Sequence, residues 1–315
     1  MSDFLVYQWD FSATAPQPCA VQSVPPSVTA GHWYHCHREA EGLYEWLLAN
    51  RVSHAAINSL LDKDTRPNFE LINDDQWVLI LRGLNLNENA NPEDMLSLRI
   101  LYLNGALISV RKTPSSTIEA LQRSLQDKTG PADIKSLLLA MVNGLNRNID
   151  NFLQSQEELI ETFDDESELT QEMMQTHKAL LKIKRFIKPQ QYALSDLYEA
   201  EVPSLAQASI HLRQSLNTIT RINETLDFYL THLDIIKGEL RQFHAEKMNQ
   251  NTYLFSVIAA IFLPTSFLTG LLGVNVGGIP GADSPIAFGL FCLGLVFIFG
   301  FEIWFLRKLR MFDKE

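Results

Sequence analysis

LFSVIAAIFLPTSFLTGLLGVNVGGIPG, Leu254 to Gly281, decides how this chain must be read. It lies in a stretch, Met248 to Ala282, without a single charged residue. The run Leu254 to Leu272 is 19 residues long, and a second apolar run, Pro285 to Leu306, is 22. At about 1.5 Å rise per residue, a helix of either length crosses a hydrocarbon core roughly 30 Å thick. Within lipid a chain must satisfy its own backbone hydrogen bonds, so both runs are expected to be helices. The C-terminus then reads as a two-span hairpin on an otherwise soluble protein.

The charges on either side orient the hairpin. Arg241 and Lys247 precede the first span, and Arg307, Lys308 and Arg310 follow the second. The connecting loop, Gly273 to Ser284, has no Lys or Arg and one acid, Asp283. The positive-inside rule puts both termini in the cytoplasm and the glycine-rich loop outside.

Two helices cannot enclose an aqueous path, so the hairpin is either an anchor or one of several around a pore. The first span favours the pore. Asn249, Thr252, Ser256, Ala259, Leu263, Ser266 and Gly270 recur at alternating spacings of three and four, and all but Leu263 are small or polar. Leu254, Ile258, Ile261, Phe262, Leu268 and Leu272 fall mostly elsewhere, as suits lipid or the second helix. Small residues at such spacing also serve close helix packing, and in a ring of identical helices the two roles adjoin. Pro264 frees the carbonyl of Ala260 at mid-span, which suits a helix beside a wet cavity.

A Pro-containing span ending in Gly-x-Asn, a short outer loop, a second span and a basic tail together resemble the CorA metal-ion transporter family. That family's signature is Gly-Met-Asn; this chain has Gly273-Val274-Asn275, continued as Val276-Gly277-Gly278-Ile279-Pro280-Gly281, which looks like the zinc-transporting branch. The resemblance implies a homopentamer with a funnel-shaped cytoplasmic domain, one long pore helix per subunit, and divalent-cation transport across a bacterial inner membrane. Zn2+ is the cargo so implied, with Co2+, Ni2+, Cd2+ and Mg2+ as the alternatives and no cofactor.

Composition sets further bounds. The 315 residues suffice for one ordinary domain plus the hairpin, and the net charge of −11 resides wholly before Thr252. An acidic balance argues against nucleic acid and fits a surface that concentrates cations. MSDFLVYQWDF has no basic start or apolar core, so no cleavable signal peptide is expected. Cys19, Cys36 and Cys292 are too scattered to form a disulfide framework.

The expected architecture is an α+β cytoplasmic domain, then a long helix, then the transmembrane hairpin. Residues 1–128 read as mixed α/β, with strands at Phe4–Phe11, Phe69–Ile72, Trp77–Leu81, Leu96–Leu103 and Ala106–Val110. Helical periodicity marks Glu39–Leu48, Ser53–Leu61 and Ser116–Leu125, while Pro16 to Pro26 reads as a connector. Residues 129–202 read as a helical hairpin: one helix capped by Asp133, an acidic tip (Glu157, Glu158, Glu161, Asp164, Asp165, Glu166, Glu168), and a second helix from Leu169 that stops at Pro189. Residues 203–272 read as one stalk-and-pore helix on the order of 100 Å long. Leu212, Leu216, Ile219, Asn223, Leu226, Leu230, Leu233, Lys237 and Leu240 give it a 4-3-4-3 stripe, expected to pack in a ring of such helices. Thr231, Ile235, Gly238, Gln242 and Ala245 continue the pore stripe backward as a vestibule. The outer loop is 273–284, the second span 285–306 and the basic tail 307–315.

Asn275 leads the functional candidates. Its amide carbonyl is an uncharged oxygen ligand for a divalent cation or its hydration water, and a ring of such amides holds an ion weakly enough to release it. Gly273 lets backbones approach at a narrow mouth, Val274 lies between the two, and Asp283 offers a carboxylate nearby. Standing alone, Gly-Val-Asn would be an ordinary helix stop; between two spans the pore-mouth role leads. His32-Trp33-Tyr34-His35-Cys36-His37 has zinc-ligand residue types, and His35 and His37 share one face of a strand. Without a second Cys/His cluster it reads as a strand end rather than a metal site. Glu302, the one acid in the second span, is either an interfacial partner of the basic tail or a coupling residue. No phosphate loop, nucleophile triad or Cys-x-x-Cys motif suggests an enzyme. A membrane-anchored coiled-coil scaffold is the alternative of another class, and it leaves the polar stripe without a purpose.

Overall fold

A computed structural model describes residues 4–13, 15–20, 24–165, 168–274, 281 and 284–312, the side chains of Asp165 and of residues 309–312 excepted. It divides into two compact units, Met1–Lys237 and Gly238–Glu315.

The first unit is built on a seven-stranded sheet: β1 (Leu5–Asp10), β2 (Gln17–Cys19), β3 (His32–His37), β4 (Asn68–Asn73), β5 (Gln76–Gly83), β6 (Leu96–Leu103) and β7 (Ala106–Arg111). Their order is β2-β1-β3-β7-β6-β5-β4. Among the described residues only β3 and β7 run parallel, with Trp33 opposite Leu107 and His35 opposite Ser109. The other neighbouring pairs are antiparallel. Strand alternation sorts the core into two layers. Tyr34, Cys36, Val78, Ile80, Leu101 and Ile108 pack with Leu43, Trp46 and Leu47 of α1 (Leu43–Ala49) and Ile57 and Leu60 of α2 (His54–Leu61). Trp33, Trp77, Leu79, Leu81, Ile100 and Leu107, buried on the opposite face, are covered by later helices.

Those helices are α3 (Ser116–Gln126), α4 (Ile134–Thr162) and α5 (Gln171–Glu199). Asp133 caps α4 as expected, accepting the Ser136 amide at 2.6 Å. A Cβ at Gly144 would lie 2.5 Å from Thr117 Cγ2, and one at Gly83 2.5 Å from Leu145 Cδ2, so glycine sets how closely α4 approaches both α3 and the sheet.

Three expectations fail here. Part of the Pro16–Pro26 connector is a strand: Gln17, Pro18 and Cys19 pair with β1, with Pro18 on the edge strand where its missing N–H is tolerated. Pro189 does not stop the second helix, which continues to Glu199. The helix loses one backbone bond there, but Ile187, Gln190, Ala193, Leu194 and Leu197 are buried around it. Gln190 Oε1 also accepts the Arg82 amide of β5 at 2.6 Å, so tertiary packing outweighs local propensity. Third, Leu212, Ile219, Leu226 and Leu233 of the stripe on the long helix are buried within their own chain rather than left for other copies.

That long helix, α6, runs Ser209–Leu272 after a 3-10 turn, Pro203–Ala208. A last helix, α7, spans Ala287–Phe312. The stretches Pro203–Leu272 and Ala287–Lys308 are long and apolar enough to cross a membrane.

Candidate functional site

Up to Lys237, α6 presents three distinct sides. Leu212, Ile219, Leu226 and Leu233 are buried toward the core. One flank is held by α4. Asn146 Nδ2 donates to the Ser215 carbonyl at 3.2 Å, and Ser215 Oγ donates to Asn143 Oδ1 at 2.6 Å. Arg221 pairs with Asp150 at 3.3 Å, and His232 meets Asp164, beyond the end of α4, at 3.1 Å. The other flank is held by α5. Gln191 Nε2 donates to Thr220 Oγ1 and Asn223 Nδ2 to Gln191 Oε1, both at 3.0 Å; Lys184 pairs with Asp227, and His177 with Asp234 at 3.2 Å. Burial, then the Lys237 ammonium, holds the His177 imidazole below its ordinary pKa, while Asp234 opposes the shift. At about 100° per residue, these positions leave one uncovered face between the flanks. Glu224, Phe228, Thr231 and Ile235 occupy it, all exposed.

None of these cross-helix pairs announces itself in sequence, because the partners lie on separate helices. The only hint was that four positions of the 4-3-4-3 stripe, Leu216, Asn223, Leu230 and Lys237, were not uniformly apolar; these are only half-buried.

Beyond Gly238 the helix is described by itself. Asn249, Thr252, Ser256, Ala259, Leu263, Ser266 and Gly270 are all exposed. The partly covered positions are Val257, Ile261, Thr265 and Leu268, at helical spacing on the far side of the helix from that stripe. Polar groups here bond within their own helix. Thr252 Oγ1 donates to the Met248 carbonyl at 2.9 Å, Thr265 Oγ1 to Ile261 at 3.3 Å, and Thr269 Oγ1 to Ser266 at 3.0 Å. An open hollow of about 780 Å³ lies beside Pro264, with Ala259, Leu263 and Ser266 among its lining.

At the helix end the Gly273 amide donates to the Thr269 carbonyl at 2.9 Å. A Cβ at Gly273 would come within 3.0 Å of that oxygen. Val274 is half exposed. Asn275 and Asp283 lie outside the described residues, as does Glu166 of the acidic tip. Gly281 has φ +82°, a conformation that favours glycine, and its carbonyl accepts the Ser284 amide at 3.0 Å. On α7, Glu302 Oε2 is buried and has no hydrogen-bond partner among the described residues.

The histidine-rich run is a central strand rather than a strand end. His35 is fully buried, with Nδ1 2.7 Å from Ser109 Oγ, which also accepts Trp33 Nε1 at 2.7 Å, and its ring stacks on Tyr7 at 4.6 Å. Burial, and secondarily Arg111, pulls its pKa down to about 3, so the imidazole is neutral. Burial raises the Cys36 thiol far above its usual range. His37 is half-buried and accepts the Glu39 amide at 3.3 Å through Nδ1. Among the described residues no three His, Cys, Asp or Glu side chains are grouped to hold a metal.

Residues 29–308 match the family described as CorA-like Mg2+ transporter protein. The chain belongs to the CorA family. Among CorA relatives, the "Zinc transport protein ZntB" of Vibrio parahaemolyticus is 47% identical over 307 residues, covering 97% of this chain and 96% of the relative. The crystal structure of a ZntB cytoplasmic domain from Vibrio parahaemolyticus is similar at TM-score 0.73 and 42% identity, over 78% of this chain and 100% of that one. The full-length CmaX structure is similar at TM-score 0.81 and 27% identity, over 98% of this chain and 99% of that one.

Proposed function

We propose that this CorA-family chain forms a homopentamer in the bacterial inner membrane and transports divalent metal cations, Zn2+ foremost, with both termini cytoplasmic. The observation that carries it is the small and polar stripe of the first span, which lies opposite the only covered side of that helix. A lone hairpin has no reason to keep Asn249, Thr252, Ser256 and Ser266 in register on a side that none of the described residues covers. In a ring that register lines the axis. Sequence spacing carries it back through Gln242, Gly238, Ile235 and Thr231 into a vestibule. The preference for zinc rests on the high identity to a protein named for zinc transport. Co2+, Ni2+, Cd2+ and Mg2+ compete as cargo, since amide oxygens alone do not separate them.

In this scheme residues 1–128 and 129–202 form the cytoplasmic body, 203–272 the stalk and pore helix, 273–284 the outer mouth, 285–306 the outer helix and 307–315 the basic tail. Gly273, Val274 and Asn275 form the selectivity mouth, with Asn275 meeting the ion through its hydration water and Asp283 adding weak capture. Glu302 is the candidate for proton coupling, supported by its unpartnered buried oxygen.

The test is uptake by sealed proteoliposomes holding a metal-sensitive dye, with each of the five metals, with and without a pH gradient. Zn2+ influx that exceeds Mg2+ influx and responds to the gradient is expected. Tight vesicles containing folded protein yet passing no metal would leave the anchored scaffold as the better account.

A further inference from the structure

The two helices that flank α6 are electrically opposite. Residues 148–165 carry six acids (Asp150, Glu157, Glu158, Glu161, Asp164 and Asp165) and no Lys or Arg. Residues 173–195 of α5 carry five Lys or Arg and no acid, in a chain of net charge −11. The two form one hairpin, yet among the described residues no ion pair joins α4 to α5. The partner of Asp150 is Arg221 on α6 and that of Asp164 is His232. Lys184 pairs with Asp227 on α6, and Lys182 with Glu93 and Asp94. The surplus charge of each helix therefore faces away from the other.

The free side of α5 is not a merely solvated one. Met174, Leu181 and Tyr192, 46%, 48% and 55% exposed, share a stripe with Lys178, Arg185 and Lys188, for which no ion pair is found among the described residues. A complementary surface lies on the opposite flank of the same bundle. Between α4 and α6 runs a groove of about 500 Å³ with Leu153, Phe228 and Tyr229 among its apolar lining and Asp150, Glu157 and Glu224 among its polar lining. Arg221, already paired with Asp150, is the single base among the three acids of that lining, and after burial Glu157, Glu161 and Asp150 push the Tyr229 phenol up to about 12.

We propose that the apolar-basic stripe of α5 in one copy seats in the acidic α4–α6 groove of the next copy. This rests on the ring proposed above, with the uncovered face of α6 turned to the axis. That orientation directs the α4 flank of each copy toward the α5 flank of its neighbour. The surfaces are different patches, so the contact is head-to-tail, the kind that builds a ring when the rotation between copies closes. The levels also match. Read along α6, Gln191 stands beside Thr220 and Lys184 beside Asp227, while the groove spans Arg221 to Tyr229. Rotation about an axis along α6 preserves level, so Arg185 and Lys188 arrive opposite Glu157 and Asp150 of the α4 flank, with Leu181 at the upper edge of the apolar floor. Opposite charges across the seam also discriminate against a reversed pairing, which would set acid on acid.

The test uses the full-length chain in detergent, with Cys19 and Cys292 changed to Ser and the buried Cys36 retained. Two differently tagged chains are co-expressed, one with Gln154→Cys and one with Leu181→Cys, then oxidised, and native mass spectrometry is run on the same sample. A disulfide-linked band bearing both tags is expected, absent when either cysteine is omitted. Arg185→Glu with Lys188→Glu should reduce that band by about fivefold or more, and Glu157→Lys in the other chain should restore at least half of it. An intact ring without the mixed band overturns the seam and leaves the transport proposal standing. A monomer in place of a ring overturns both.

Discussion

The two portions of α6 differ in whether their polar side chains also reach another helix. Below Gly238, Ser215, Thr220, Arg221, Asn223, Asp227 and Asp234 each find a partner on α4 or α5. Above it, the described hydroxyl bonds of Thr252, Thr265 and Thr269 turn back onto the helix's own carbonyls. These polar groups of the lower portion are thus paired within one chain, while the upper leaves a polar side for which the described residues supply no partner. Helical spacing alone makes both look alike; only the neighbours distinguish a packing stripe from one awaiting water or another copy.

The contrast can be broken most sharply at the mouth. Losing a hydrogen bond to a charged group is worth about 1–3 kcal/mol, and the loss repeats around a ring, so Asn275→Ala should reduce flux in proteoliposomes by at least ~100-fold while assembly persists. Asn275→Asp should bind metal more tightly but conduct less. Wild-type flux from Asn275→Ala would remove the residue from the mechanism. In the lower portion, Leu226→Ala removes a fully buried side chain and should lower unfolding free energy by about 2–5 kcal/mol, whereas Ser256→Ala in the upper portion should change it by less than about 0.5 kcal/mol. Equal losses would mean that the two stripes are packed alike. A scan sharpens this further: cysteines at Thr252, Ser256, Ala259 and Ser266 should react with a water-soluble thiol reagent at least about tenfold faster than those at Ile258, Ile261 and Leu268. Uniform rates would reduce the polar side to a packing surface.

Smaller effects are expected in the sheet. Unfolded His35 takes up its proton near pH 6.5 but the folded, buried imidazole only near about 3, so its stabilising contribution is complete above pH 6.5 and is lost as pH falls toward 3. The slope from this residue is at most ~1.4 kcal/mol per pH unit, and His35→Gln should remove it from denaturation curves taken across that range. The least change is predicted for His37→Ala, with Zn2+ flux near wild type; a collapse of flux with normal assembly would restore the strand as a transport site.

Both spans, their helical form and most of the sheet were legible because each depends on local pattern: apolar length for Leu254–Leu272, branched and aromatic residues for β5 and β6. Asn275 stands as a candidate only through its position between two spans. What escaped depends on distant partners. Pro189 looked like a stop because its helix is held by β5 and the core rather than by propensity. β2 was hidden because an edge strand of three residues, one a proline, carries no periodicity. The 4-3-4-3 stripe of α6 was visible, but not whether α4 and α5 or other copies of α6 would cover it.

The one parallel pairing of the sheet has a consequence for how the chain is made. β3 cannot acquire its neighbour β7 until Arg111 has left the ribosome, 74 residues after His37. Until then β3 has only β1 beside it, and a strand with an open edge is a template for unwanted pairing. The first hydrophobic span begins at Leu254, more than 140 residues after β7 ends. At roughly 5–20 residues per second that interval lasts about 7–30 s. The order of elements along the gene therefore lets the sheet close before the first long apolar segment of the nascent chain has been made.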